Sequence, residues 1–167
     1  FNKMATYNVD LTKTKQQGLV KYISKKKNLV ILWTGILNHV EYLMQISDVE
    51  LNASLHDSFN IALMEAMGCA LPVITSDIVG ISDHIKKSNS GYCFSTKKMN
   101  FDEINLCLKK NQTKKKLFDI DSACDAIYYL YKNPNQKEKF GKNGFNYVNR
   151  EFSFNKVSKI FNKIILK

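Results

Sequence analysis

The chain has 167 residues, 44% of them hydrophobic and 24% charged, the balance of one globular domain with a substantial core rather than of a fibrous or disordered chain. No apolar run is long enough to cross a bilayer and no signal-peptide pattern opens the sequence. The formal charge is +10, carried almost wholly by lysine, with Arg150 the sole arginine, which argues against base-edge readout or bidentate phosphate clamping of a nucleic acid.

The lysines cluster among asparagines at Lys25-Lys26-Lys27, Lys109-Lys110 and Lys114-Lys115-Lys116. These clusters read either as a solvated surface of biased composition or as attraction to an anionic partner or membrane surface. Cys69, Cys93, Cys107 and Cys124 form no C-x-x-C pair and have no histidine at ligand spacing, which disfavours a zinc site and suits a reducing compartment. The start at Phe1 rather than Met suggests a fragment of a longer protein.

In chain order, an amphipathic pattern from Leu11 to Ser24 predicts a helix. Asn28 to Trp33 is a short apolar run, expected as a buried strand, which Thr34-Gly35 closes. His39 to Ile46 predicts a short helix and Asp48 to Leu51 a strand. Residues 59 to 68 predict the next helix, 72 to 76 the next strand, 81 to 85 a helical turn and 91 to 94 a last short strand. Four helices are expected beyond, over 101–110, 121–132, 134–148 and 154–166, with Pro134 as a first-turn proline. Short apolar strands alternating with helices imply parallel β-α units, so the expected fold class is α/β: a single-domain, Rossmann-like α/β/α sandwich with a helical C-terminus. The last helix carries Phe154, Val157, Ile160, Phe161, Ile164 and Ile165 on one broad apolar face, which either packs on its own sheet or seeks a partner.

The least ordinary stretch runs from Leu55 to Asp77, with Asp57 ahead of a helix and Glu65 inside its apolar body. In open parallel sheets, ligands bind outside the carboxyl ends of the strands, where loops pass into helix N-termini. A helix start there offers unpaired N–H groups and the positive end of a dipole to a phosphate. Asp57 reads either as the helix cap or as a ligand contact. Glu65 reads either as a solvent-facing or Lys-paired residue, or as an acceptor for hydroxyls of a bound ligand.

The stretch from Asp57 through Glu65-Ala-Met-Gly-Cys-Ala-Leu-Pro-Val-Ile74 to Ser76-Asp77-Ile-Val-Gly80 resembles the donor-binding half of retaining GT-B glycosyltransferases of family 4. Their signature reads approximately E-G-F-G, then E-A-M-A-C-G-x-P-V-I-A-S-D-x-G-G. The resemblance extends upstream to Val30-Ile-Leu-Trp-Thr-Gly35, Asp48 and Ser54-Leu55, and downstream to Gly91-Tyr92, Asn133-Pro134 and Glu151-Phe-Ser153. It thus covers about residues 28 to 166 by an ordered series of motifs, leaving 1–27 poorly matched. The sequence departs from the signature at Asp57 for Glu, at Ser58, Asn60 and Ala70 for Gly, and at Ser82-Asp83 for Pro-Glu. The family's G-R-x5-K-G, whose Arg and Lys neutralise the diphosphate, has no counterpart; Lys3 and Lys13 lie nearby without that pattern.

The resemblance implies roles for particular residues. Asp57 would accept hydrogen bonds from hydroxyls of the donor sugar, and Ser58, Phe59, Asn60, Ile61 and Ala62 would present backbone N–H groups to the sugar and diphosphate. Glu65 would hold the ribose hydroxyls, and Thr34, Gly35, Ile36 and Leu37 would lie against the base. Asp57 and Glu65 are accordingly the catalytic candidates. The implied reaction moves a glycosyl unit, of hexosyl type, from a UDP-, GDP- or ADP-sugar to a glycan or lipid-linked glycan with retention, without a metal or other cofactor. The whole chain, 1–167, would be a donor-binding domain inactive alone, and the helix over 150–167 would dock on an acceptor-binding N-terminal domain outside it. The scattered thiols suit a cytoplasmic location, the lysine clusters suit peripheral membrane contact, and the lack of arginine and of interleaved aromatics disfavours a nucleic-acid partner. The competing readings are a GT-B-shaped nucleotide-sugar epimerase and a non-catalytic basic interaction module.

Overall fold

The computed structural model describes residues 20–23, 30–34, 37–96, 102 and 119–165. The chain divides into two compact units, Phe1–Val40 and Glu41–Lys167.

In the first unit, β1 (Val20–Ile23) pairs antiparallel with β2 (Val30–Trp33), with Val20 opposite Trp33 and Ile23 opposite Val30. This corrects the helix expected over 11–24, of which residues 11–19 and Ser24 lie outside the described residues. Val20-Lys-Tyr-Ile23 satisfies a helical spacing, but its β-branched and aromatic residues suit a strand, and cross-strand pairing overrides a weak local preference. The strand expected at Asn28–Trp33 is present over Val30–Trp33, with Asn28 and Leu29 outside the described residues, and it pairs antiparallel with β1 rather than within a parallel β-α unit.

α1 (Val40–Gln45) begins on the last residue of the first unit and leads, in the second, to β3 (Glu50–Asn52), then α2 (Ile61–Gly68), β4 (Val73–Ser76), α3 (Ser82–Ser88) and β5 (Gly91–Phe94). The strands form a three-stranded parallel sheet in the order β3-β4-β5. Ile74 of the central strand faces Leu51 on one side and Tyr92 on the other. Beyond it come α4 (Ile120–Lys132), α5 (Pro134–Glu151) and α6 (Phe154–Ile165). The helix expected over 101–110 lies, apart from Asp102, outside the described residues.

Because strand order follows sequence order in one direction, right-handed crossovers place α2 and α3 on the same face of the sheet. That face holds one core cluster: Leu63, Ala66 and Met67 of α2, Val73, Val79, Ile81, Ile85 and Tyr147. The opposite face holds the second, where Ala123, Ala126 and Leu130 of α4 cover Ile74 and Phe94, with Phe140 of α5 beside them. Successive β4 residues point to opposite faces, so Val73 enters one cluster and Ile74 the other. The result is the α/β/α arrangement of a Rossmann-like domain with a helical C-terminus.

Both ends of α2 are closed by local backbone geometry, and its start differs from the expected one. α2 begins at Ile61 rather than at Phe59, because Asn60 has φ 44° and caps the helix through its side chain. At the other end, Ala70 also takes a left-handed φ of 58°. Its N–H bonds to Met67 O at 3.1 Å while Leu71 N–H reaches back to Ala66 O at 3.0 Å, the double closure that usually places Gly at this position.

Candidate functional site

The loop from Ala53 to Asn60 leaves the carboxyl end of β3 and feeds α2, while the loop from Asp77 to Ile81 leaves the carboxyl end of β4 and feeds α3. Side chains lock these exits together. The hydroxyl of Ser76 donates to Ser54 O at 2.6 Å, joining the ends of β4 and β3. Asp77 Oδ1 accepts from Thr96 N at 3.0 Å and from its hydroxyl at 2.7 Å, joining β4 to the residues after β5. The Ser76-Asp77 pair therefore frames the strand ends, a role that no local pattern assigns to it.

Asp57 takes up the capping geometry. Its Oδ1 accepts from Phe59 N at 3.1 Å and from Asn60 N at 2.8 Å. Its carbonyl accepts from Gly80 N at 3.0 Å, so the loop ahead of α2 is tied to the loop ahead of α3. A Cβ on Gly80 would stand 1.8 Å from Ser58 O, so any side chain there would push the two loops apart. Asn60 Oδ1 then accepts from Leu63 N at 3.1 Å and completes the cap. Of the five residues expected to present amides, Phe59 and Asn60 have theirs bonded to Asp57. The amides of Ile61 and Ala62 take no acceptor among the described residues.

The burial of α2 sorts its faces. Leu63, Ala66 and Met67 are fully buried, whereas Ile61, Ala62 and Glu65 are exposed. Since side chains at i and i+4 share a helix face, Glu65 stands on the same exposed side as the helix start at Ile61. Of the segment expected against the base, Gly35 and Ile36 lie outside the described residues, and Thr34 and Leu37 belong to the first unit.

Behind the loop lies a group of rings with no sequence signature. Phe59 meets the ring of His84 edge-on at a centroid distance of 5.8 Å and that of Phe152 at 5.6 Å. His84 and Phe152 are 5.2 Å apart, and His84 Nδ1 is hydrogen-bonded to the Tyr147 hydroxyl at 2.8 Å. These residues come from segments far apart in sequence, so spacing could not have grouped them.

Two grooves lie away from Asp57 and Glu65: one of about 340 Å³ bordered by Tyr92, Phe94, Asp125 and Tyr129, and one of about 460 Å³ bordered by Asp48, Ile127 and Lys137. Burial pushes the Cys93 thiol up to about 11 and raises that of Cys69 too, which unfits both as nucleophiles near neutral pH. Among the described residues, no group of three or more His, Cys, Asp or Glu side chains could hold a metal ion, and no helix is long and apolar enough to cross a membrane.

The family described as glycosyl transferases group 1 matches residues 13–118. N-acetyl-alpha-D-glucosaminyl L-malate synthase of Bacillus anthracis is 36% identical over 62 residues, 37% of this chain and 16% of that enzyme. The chain thus spans a small part of the length of that relative.

Proposed function

The chain belongs to the group 1 glycosyl transferases, and from that premise we propose that its second unit binds the nucleotide-sugar donor of a retaining, family 4 type GT-B enzyme. The observation that carries this reading is the open start of α2. Two amides without an acceptor among the described residues, at Ile61 and Ala62, stand at the positive end of the helix dipole, and exposed Glu65 shares their side. That is the arrangement a diphosphate attached to a pentose needs: N–H donors for its oxygens and a carboxylate for the ribose hydroxyls.

In this reading Asp57 has two tasks. Its Oδ1 shapes the loop through Phe59 and Asn60, and its other oxygen is left to accept from a sugar hydroxyl. Asn60 stands where the family signature has Gly, and its left-handed backbone is one that Asn tolerates, so the loop keeps its shape without the glycine. As the glycosyl bond breaks, negative charge gathers on the leaving diphosphate, and the Ile61 and Ala62 amides stabilise it without a metal. The name of the Bacillus relative specifies an N-acetyl-alpha-D-glucosaminyl product, which supports a hexosyl unit.

The site is an open surface, and we assign its other wall to an acceptor-binding domain outside this chain. The exposed apolar face of α6 would dock on that domain. A glycan or lipid-linked glycan acceptor and a cytoplasmic position at the membrane surface complete the proposal. One observation favours the alternative of a non-catalytic module: Asp57 already occupies two of the amides that a donor would use.

Isothermal titration with UDP, GDP and ADP separates the two. The donor reading expects weak binding of one of these by the chain, no sugar transfer, and roughly tenfold weaker binding by Glu65→Ala, the effect of losing hydrogen bonds to a charged acceptor. Equal binding by both proteins removes Glu65 from the site. Absence of any nucleotide response supports the module.

A further inference from the structure

The loop that leads into the proposed amides is short; Gly80 N–H ties it to the loop ahead of α3 through Asp57 O, and the Ser76 hydroxyl ties it to β4 through Ser54 O. Phe59 adds a tie at its last turn, its ring packing in the group formed by His84, Tyr147 and Phe152. Tyr147 is buried, with 4% of its surface exposed, and its hydroxyl meets His84 Nδ1 at 2.8 Å across 63 residues of sequence. The Arg150 guanidinium also lies over the Tyr147 ring, 5.4 Å from its centroid. The Tyr147 ring is thereby held from several directions, and the hydrogen bond passes its orientation to His84.

We propose that His84, oriented by the Tyr147 hydroxyl, is a positioning residue for donor binding, holding Phe59 so that the amides at the start of α2 face the ligand. This rests on the donor-binding reading above. The physical argument is geometric. The bond at Nδ1 fixes the imidazole about its Cβ–Cγ bond beyond what its ring contacts do, and a rotation that broke it would change the edge that meets Phe59. Phe59 immediately precedes Asn60, whose left-handed φ of 44° aims the next two amides, so a shift of Phe59 is carried directly into Ile61 and Ala62. Neither His84 nor Tyr147 touches the exposed side of α2 where the ligand would sit; they act through Phe59.

Two variants test this while preserving the packing. Tyr147→Phe removes only the hydroxyl, and His84→Phe keeps a ring but loses the bonded nitrogen. Both are compared with wild type by amide hydrogen exchange of the ligand-free chain and by titration with UDP, GDP and ADP. The expected result is faster exchange confined to residues 58–63, with β4 and β5 unchanged, and about three- to tenfold weaker nucleotide binding in either variant. The double variant should lose no more than the single ones, since both cut the same link. Unchanged exchange at 58–63, or a lowered melting temperature with unchanged affinity, overturns the proposal in favour of a purely structural contact. A wild-type chain that binds none of the nucleotides sinks the donor reading instead, and the exchange comparison then still decides whether His84 and Tyr147 hold the loop.

Discussion

Helices α2 and α6 are both rich in apolar residues, yet the structure treats them oppositely. In α2, Leu63, Ala66 and Met67 are fully enclosed between the sheet and α5, and the few exposed positions stand at the proposed site. In α6 no residue is buried: Phe154 is 84% exposed and Ile164 70%. α6 joins α5 through Glu151, which accepts from Arg150 Nε at 2.8 Å and from Lys156 and is held by these bonds at a pKa of about 2. The contrast shows that an apolar stripe states only which side wants cover. What covers it depends on surfaces elsewhere.

The contrast can be sharpened by substitution. The largest effect is expected in α2, where Met67→Ala would empty space in the core and cost about 2–5 kcal/mol in denaturant unfolding. At the end of the same helix, Ala70→Gly should stabilise by roughly 0.5–1 kcal/mol, because glycine adopts the left-handed backbone of position 70 without the Cβ penalty. A lowered stability in Ala70→Gly would mean that the alanine side chain contributes more by packing than its backbone costs. In α6, Phe161→Ala should change the stability of this chain by no more than about 0.5 kcal/mol, since the residue is already 60% exposed. A cost in Phe161→Ala comparable with that of Met67→Ala would break the contrast and show that α6 is covered in solution.

Much of the second unit was legible in the sequence. The strand at Gly91–Phe94 and the helices from Pro134 and Phe154 begin where apolar period, proline and turn residues place them. The Asp57–Glu65 spacing pointed to a helix start at the carboxyl end of a parallel strand, where the structure has it. The first unit was misread over Val20–Ile23, because a four-residue segment fits two periodicities and only its pairing with Val30–Trp33 chooses between them. The ring group of Phe59, His84, Tyr147 and Phe152 went unseen for a related reason: three separate segments bring it together, and none of them carries a pattern of its own.

By itself, the sequence determined the order of β-α units between Asp48 and Phe94 and the presence of one carboxylate ahead of α2 and another within it. These follow from spacing along one chain segment, where the period of side chains and the chemistry of caps act locally. Only the tertiary structure decided that the Asp57 carbonyl accepts from Gly80 N, that Gly80 packs on Ser58, and that His84 meets Tyr147. Those outcomes depend on which distant groups arrive within hydrogen-bonding distance, and such meetings are set by packing of the whole sheet and its helices, not by any one stretch.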